Sequence, residues 1–183
     1  MGFGIETDVR DYRGELVVSH DPPTRRGLTL KELLDLRLEY DCNLTLALNI
    51  KADGLHGKVG SLVSSHELGD YFVFDCSVPA AIGYIKEAIP FFTRHSEYER
   101  VPTLYDSAQG VWMDMFNADW IQTNMIQAHL DQDKRVAIVS PELHGREYMP
   151  FWMQIRKDKD VMNSKDVWLC TDYPVEAEEF FCE

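Results

Sequence analysis

Residues Gly4–Pro23 read GIETDVRDYRGELVVSHDPP. An apolar run carries two acids, Glu6 and Asp8. It turns through Arg13-Gly14, returns through Leu16-Val17-Val18 and stops at His20-Asp21 and two prolines. Alternate residues of a strand share a face, about 6–7 Å apart. Glu6 and Asp8 therefore share one face, and Ile5, Thr7 and Val9 the other. Two neighbouring carboxylates repel each other and lose hydration, so they call for a cation or a shared proton. Oxygen ligands at this spacing suit a hard ion such as Mg²⁺ or Ca²⁺; a solvated acidic edge strand is the competing reading. His20, brought back by the turn, suits proton transfer near neutral pH, with a hydrogen-bonded structural histidine as the alternative. Ser19-His20-Asp21 is not a catalytic triad, because adjacent side chains diverge.

Working outward, short apolar strands alternate with amphipathic helices. The strands are expected at Gly4–Val9, Leu44–Ile50, Tyr71–Asp75, Phe91–His95, Trp120–Thr123, Arg135–Ser140 and Val167–Thr171. Runs this apolar suit a parallel sheet buried on both faces. Thr29-Leu30-Lys31-Glu32 reads as a capping box opening a helix to Leu38. Further helices are expected over Gly57–His66, Val78–Glu87 behind a Ser77 cap, Met125–Leu130 behind an Asn124 cap, Arg146–Arg156, and Val175–Phe181 opened by Pro174. Nearly every strand ends in polar residues: Glu6 and Asp8, Asn49 and Lys51, Asp75, Arg94 and Glu97, Gln122 and Asn124, Glu142 and His144, Asp172. An α/β fold with a polar rim at the carboxyl ends of its strands points to a TIM-type (β/α) barrel. Seven strands are one too few for such a barrel, and the chain is short for one.

The 183 residues fit one domain, residues 1–183, with an ample core. Hydrophobic residues make up 45% of the chain, which excludes a disordered class. A net charge of -13 argues against a general nucleic-acid surface. The four cysteines, Cys42, Cys76, Cys170 and Cys182, have no metal-site spacing and read as reduced thiols. With no leader pattern and no apolar run of about 18 residues, a cytoplasmic protein without stable membrane insertion is expected. Trp112, Phe116 and Trp120 are read as core before substrate platform.

The stretch GFGIETDVRDYRGELVVSHDPP resembles the signature of the glycerophosphodiester phosphodiesterase family, among the barrels similar to phosphatidylinositol-specific phospholipase C. LALNIKADG (46–54) resembles that family's third-strand motif, and VAIVSPELHGR and WLCTDYP its last two strands. The resemblance implies a metal-dependent phosphodiesterase active in lipid metabolism on a small glycerol-type phosphodiester. It implies that Glu6 and Asp8 hold a divalent ion, Mg²⁺ or Ca²⁺. His20 would be one of two catalytic histidines, and Lys51 a catalytic group that holds a phosphate oxygen. Arg94 and Glu142 are further candidates for binding substrate.

The sequence departs from the family pattern at two places. The family's first strand ends in His-Arg-Gly and carries the other histidine; this chain starts at the equivalent of the second strand. The expectation is a reading frame that begins upstream of Met1, or a barrel trimmed by one strand-helix unit. Such a barrel leaves Gly4–Val9 and Val167–Thr171 as edges open to a second copy, a homodimer. The family's third metal ligand is a glutamate where this chain has Asn49, whose neutral oxygen lowers metal affinity. Asp75, Glu97, Asp172 and, first among them, Glu142 are candidates to compensate, and His144 to replace the lost histidine. The leading function is therefore a weakened metal-dependent phosphodiesterase. The alternatives are an inactive barrel binding a phosphorylated ligand and a phospholipase C-type lyase.

Overall fold

A computed structural model describes residues 2–40 and 44–182. Cys42 lies outside the described residues. The chain divides into two compact units, Met1–Phe92 and Thr93–Glu183.

Unit 1 contains strands β1 (Ile5–Tyr12), β2 (Glu15–Val18), β3 (Leu46–Ile50) and β4 (Tyr71–Phe74), in the order β2-β1-β3-β4. Its helices are α1 (Leu30–Glu39), α2 (His56–Ser65) and α3 (Val78–Lys86). β1, β3 and β4 run parallel, with Asp8 opposite Asn49 and Asn49 opposite Phe74. Leu46, Leu48, Val73 and Phe74 are buried, as expected of parallel strands covered on both faces. The capping box of α1 is complete: Thr29 Oγ1 accepts from the Glu32 amide, and Glu32 accepts from the Thr29 amide at 2.7 Å. Ser77 caps α3 through the Ala80 amide.

β2 is a strand the sequence reading passed over. Arg13 and Gly14 both take positive φ, 49° and 91°. That is the two-residue hairpin turn whose twist matches that of its strands. β2 pairs antiparallel along Val9–Tyr12, and the Ser19 amide donates to the Asp8 carbonyl at 3.1 Å. The outer side of β1, expected as an open edge over Gly4–Val9, is thus covered from Asp8 onward. On its other side β2 is tied to Leu28 and Thr29.

The second sheet is formed by β5 (Phe92–His95), whose residues from Thr93 onward belong to unit 2, with β6 (Gly110–Met113), β7 (Arg135–Val139) and β8 (Val167–Cys170), in that order. The helices of unit 2 are α4 (Thr123–Leu130), α5 (Met149–Arg156), α6 (Lys159–Asn163) and α7 (Pro174–Cys182). Short 3₁₀ turns occupy Tyr105–Ser107 and Pro141–His144. β6, β7 and β8 are parallel. The core joins Val111, Met113, Val136 and Ile138 of the sheet to Phe151, Trp152 and Ile155 of α5.

Three expectations are corrected here. Trp120–Thr123 is not a strand; the strand is Gly110–Met113. Ile121 is fully buried, but its carbonyl accepts from Gln154 Nε2 at 2.9 Å, and the Trp120 indole donates to the Asp114 carbonyl at 2.8 Å. These two residues join the core through side-chain bonds and not through a ladder. α4 starts at Thr123 after Gln122, so Asn124 is not its cap. α5 begins at Met149, with Pro150 in its first turn, where a missing amide costs nothing. The fold is mixed α/β with parallel sheets. Hydrogen bonding groups the strands into two four-stranded sheets, and no closed barrel is traced among the described residues.

Candidate active site

In unit 1 three parallel strands bring together Glu6 and Asp8 of β1, Asn49 near the end of β3 with Lys51 just after it, and Asp75 just after β4. The pairing of Asp8 with Asn49 sets these side chains next to each other. The Lys51 amide donates to the Val9 carbonyl at 3.0 Å, carrying the register one residue beyond β3. The Lys51 ammonium then lies 3.4 Å from Asp8 Oδ1 and 3.5 Å from Asp75 Oδ2, with all three side chains about four-fifths buried. Asp75 takes φ 62°, a left-handed conformation unusual for a side-chain-bearing residue, where β4 ends.

Glu6 keeps an exposed face, yet protein crowds its carboxyl. That desolvation first, then repulsion from Asp8, pushes its pKa up to about 7 against the pull of Asn49 and Lys51. Asn49 donates its amide to Glu6, and its Oδ1 is buried with no hydrogen-bond partner. A buried carbonyl oxygen left without a donor is costly, and beside two carboxylates it is the type of oxygen a hard cation takes. Among the described residues no three or more His, Cys, Asp and Glu side chains converge as metal ligands. The oxygens the cluster could offer an ion are those of two carboxylates and one amide, Glu6, Asp8 and Asn49.

His20 lies on the loop after β2 with its side chain 74% exposed, its Nδ1 3.0 Å from Asp21 Oδ1. Its backbone is what the structure ties to the cluster. Arg10 Nε donates to the His20 carbonyl and Arg10 Nη1 to the Lys51 carbonyl, each at 2.8 Å. Sequence reasoning missed Arg10 because its partners are backbone oxygens 10 and 41 residues away. Nothing local marks such a role.

The remaining candidates belong to unit 2. Arg94 pairs with Glu99, and its guanidinium lies 5.9 Å from the Phe116 ring. Glu97 accepts from the Phe116 and Asn117 amides at 3.2 and 2.7 Å, so it closes its own loop. Glu142 accepts from Ser140 Oγ, Thr171 Oγ1 and the Asp172 amide, which engages both its oxygens. His144 Nε2 meets Asp114 Oδ1 at 2.6 Å. Asp114 went unread because it follows β6, the strand that was misplaced. Trp112 is buried, whereas Phe116 and Trp120 are half-buried.

No family model matches the chain, and no curated protein matches it. Among solved structures, it is similar to the crystal structure of glycerophosphodiester phosphodiesterase from Agrobacterium tumefaciens str. C58. The TM-score is 0.67 at 16% identity, over 98% of this chain and 87% of that one. At that identity the likeness is one of fold.

Proposed function

We propose that this protein is a divalent-cation-dependent phosphodiesterase of the glycerophosphodiester phosphodiesterase type, acting on a small glycerol-type phosphodiester. The fold likeness to the bacterial enzyme supports the class and a TIM-type reading of the α/β alternation. Fold alone does not carry function. The carrying observation is the unit 1 cluster, where the ammonium of Lys51 sits between Asp8 and Asp75 beside the unpartnered Asn49 oxygen.

In this reading Glu6, Asp8 and Asn49 hold the cation, which when bound draws charge from the phosphoryl oxygens. Lys51 supplies a second positive charge to a non-bridging oxygen, held in place by its two carboxylates. Arg10 fixes the Lys51 backbone and ties the His20 loop to it, and His20 moves a proton between solvent and the phosphodiester. A lyase that replaces the cation with an arginine is disfavoured by the paired carboxylates. A binding-only reading is favoured by one observation: the side chain of His20 is 74% exposed and faces Asp21. No helix among the described residues is long and apolar enough to cross a membrane. Cys76, Cys170 and Cys182 are free thiols, which supports a cytoplasmic setting.

The test is hydrolysis of glycerophosphocholine with Mg²⁺, Ca²⁺ or Mn²⁺, with and without EDTA, by the wild type and Asp8→Ala. Turnover lost to both EDTA and the substitution is expected. Turnover indifferent to both would refute the cluster as the site, and ligand binding without turnover would establish the binding-only reading.

A further inference from the structure

Several cations of unit 1 meet acids. Arg26 binds Glu15 and Glu32, Lys31 binds Asp35, and Lys51 lies between Asp8 and Asp75. Arg10, in the same unit, is held differently. It is half-buried, and its two hydrogen bonds go to neutral backbone oxygens: Nε donates to the His20 carbonyl and Nη1 to the Lys51 carbonyl, each at 2.8 Å. A guanidinium has five N–H donors. These two bonds leave both hydrogens of Nη2 without a partner among the described residues, and no acid among them pairs with the charge. In a chain of net charge -13, a guanidinium fixed at two of its nitrogens and left without an anion is a place prepared for one.

We propose that Arg10 is a specificity-determining residue of the phosphodiester site and binds a carboxylate on the alcohol that leaves; the inference rests on the reading above. Alternate residues of a strand share a face, so Glu6, Asp8 and Arg10 follow one another along one side of β1. In that reading the two acids serve the cation and Lys51 serves a phosphoryl oxygen. Arg10 is the next side chain along the row. Its Nε bond ties it to the loop of His20, the group that moves the proton. The alcohol that receives this proton therefore departs beside Arg10, and a substituent on it meets Nη2. The positive charge there favours an anion and repels a cation. The two carbonyls fix the head group before substrate arrives, so little has to be ordered on binding. The substrate class is then a glycerol-type phosphodiester whose alcohol carries a carboxylate, as serine does. Choline and ethanolamine carry only a cation there.

A guanidinium that only pinned the backbone of Lys51 would serve every diester alike. One that also binds the alcohol separates diesters that differ in a single group. Glycerophosphoserine and glycerophosphoethanolamine share the phosphodiester and the ammonium and differ in one carboxylate. A hydrogen bond to a charged group discriminates between them by roughly 10–100-fold. The carboxylate takes no part in the bonds that form and break, so the contact is made equally before and during reaction. Its effect falls on KM and not on kcat.

The experiment measures kcat and KM of wild type, Arg10→Gln and Arg10→Lys on these two diesters with Mg²⁺, with urea midpoints as a folding control. The expected wild-type kcat/KM is roughly 10–100-fold higher for the serine diester, carried by KM. Arg10→Gln should lose activity on both diesters, because Lys51 is no longer pinned, and its preference for serine should vanish. Arg10→Lys keeps the charge, but its one nitrogen cannot hold two carbonyls and an anion together, so it should keep only part of the preference. A second measurement needs no variant: calorimetry on the wild type should show O-phosphoserine binding more tightly than O-phosphoethanolamine by the same factor. No wild-type preference, equal affinity for the two phosphates, or a preference that survives in Arg10→Gln overturns the inference and leaves the phosphodiesterase reading standing. A preference lost in Arg10→Gln, in a chain whose turnover ignores EDTA and Asp8→Ala, keeps the inference and removes the cation site. A wild type that turns over neither diester overturns both.

Discussion

His95 and His129 are each 8% exposed and joined at 2.9 Å, with Tyr105 Oη 2.8 Å from His129 Nδ1. A hydrogen bond to the Arg100 backbone keeps the hydrogen of His95 on Nε2. His95 Nδ1 must then accept from His129 Nε2, and Tyr105 must donate to His129. This chain is complete with both rings neutral. Burial first, and then the neighbouring His95, pushes the pKa of His129 down to about 4; burial lowers His95 as well. In the unfolded chain each histidine takes its proton near pH 6.5. Stability from the neutral pair is therefore complete above about pH 6.5, falls on acidification and is gone by about pH 4. The gap between about 4 and 6.5 is worth about 3 kcal/mol for His129, and the slope approaches about 1.4 kcal/mol per pH unit. Glu6 works the other way. Its raised pKa means that the folded chain holds a proton the unfolded chain has lost, so acidification from about 7 stabilises. Carboxylates held low, such as Asp158 and Glu32, act only below this window. The clean measurement is urea unfolding of Glu6→Gln in EDTA between about pH 6.5 and about pH 4.5, beside Glu6→Gln/His129→Gln. The single variant should lose stability steeply and the double variant much less. A flat profile in Glu6→Gln, or the same slope in both, would refute the buried neutral pair.

Other outcomes follow from single contacts. Gly83→Ala gains about 1 kcal/mol of helix propensity, but the new Cβ would lie 2.6 Å from His56 Nδ1. Overpacking costs about 1–3 kcal/mol, so the urea midpoint should fall, and His56→Ala in the same chain should turn the change into a gain. Asn49→Glu supplies a third carboxylate, and calorimetry should show Mg²⁺ affinity higher by roughly tenfold; an unchanged affinity would remove Asn49 from the donor set. Thr29→Ala breaks the capping box and should cost about 1 kcal/mol in urea unfolding, with cation binding unaffected.

What was legible in the sequence was local. α1 and α3 announce themselves through Thr29, Glu32 and Ser77, whose capping partners lie within three residues. β4 and β7 stand out as buried apolar runs. Glu6, Asp8, Asn49 and Lys51 could be found because alternation puts Glu6 and Asp8 on one face of β1, and the motif on the neighbouring strand sets Asn49 opposite Asp8. β6 escaped because its four residues are weaker in pattern than Trp120-Ile121, whose apolar character serves core packing without a ladder. α6 escaped because a five-residue helix has too few turns to show a period. The charges of unit 2 were legible as charges but not as partners. Whether Glu142 faces a ligand or Thr171, and whether His144 stands alone or on Asp114, depends on contacts 29 and 30 residues away.

The hairpin of β1 and β2 also has a consequence in time. Val9 meets Val18 across a two-residue turn, whereas Ile5 meets Leu46 only after α1 and the segment beyond it have been crossed. Hairpins close in about 1–10 μs, while a parallel pairing must first bear the entropy of its long loop. The first ordered surface of unit 1 is then the hairpin, with Glu6 and Asp8 already displayed on β1. β3 arrives later and brings Asn49 and Lys51 to them. The cluster is thus assembled through long-range pairing, its acids on β1 displayed before the residues of β3 and the Asp75 that follows β4 can reach them.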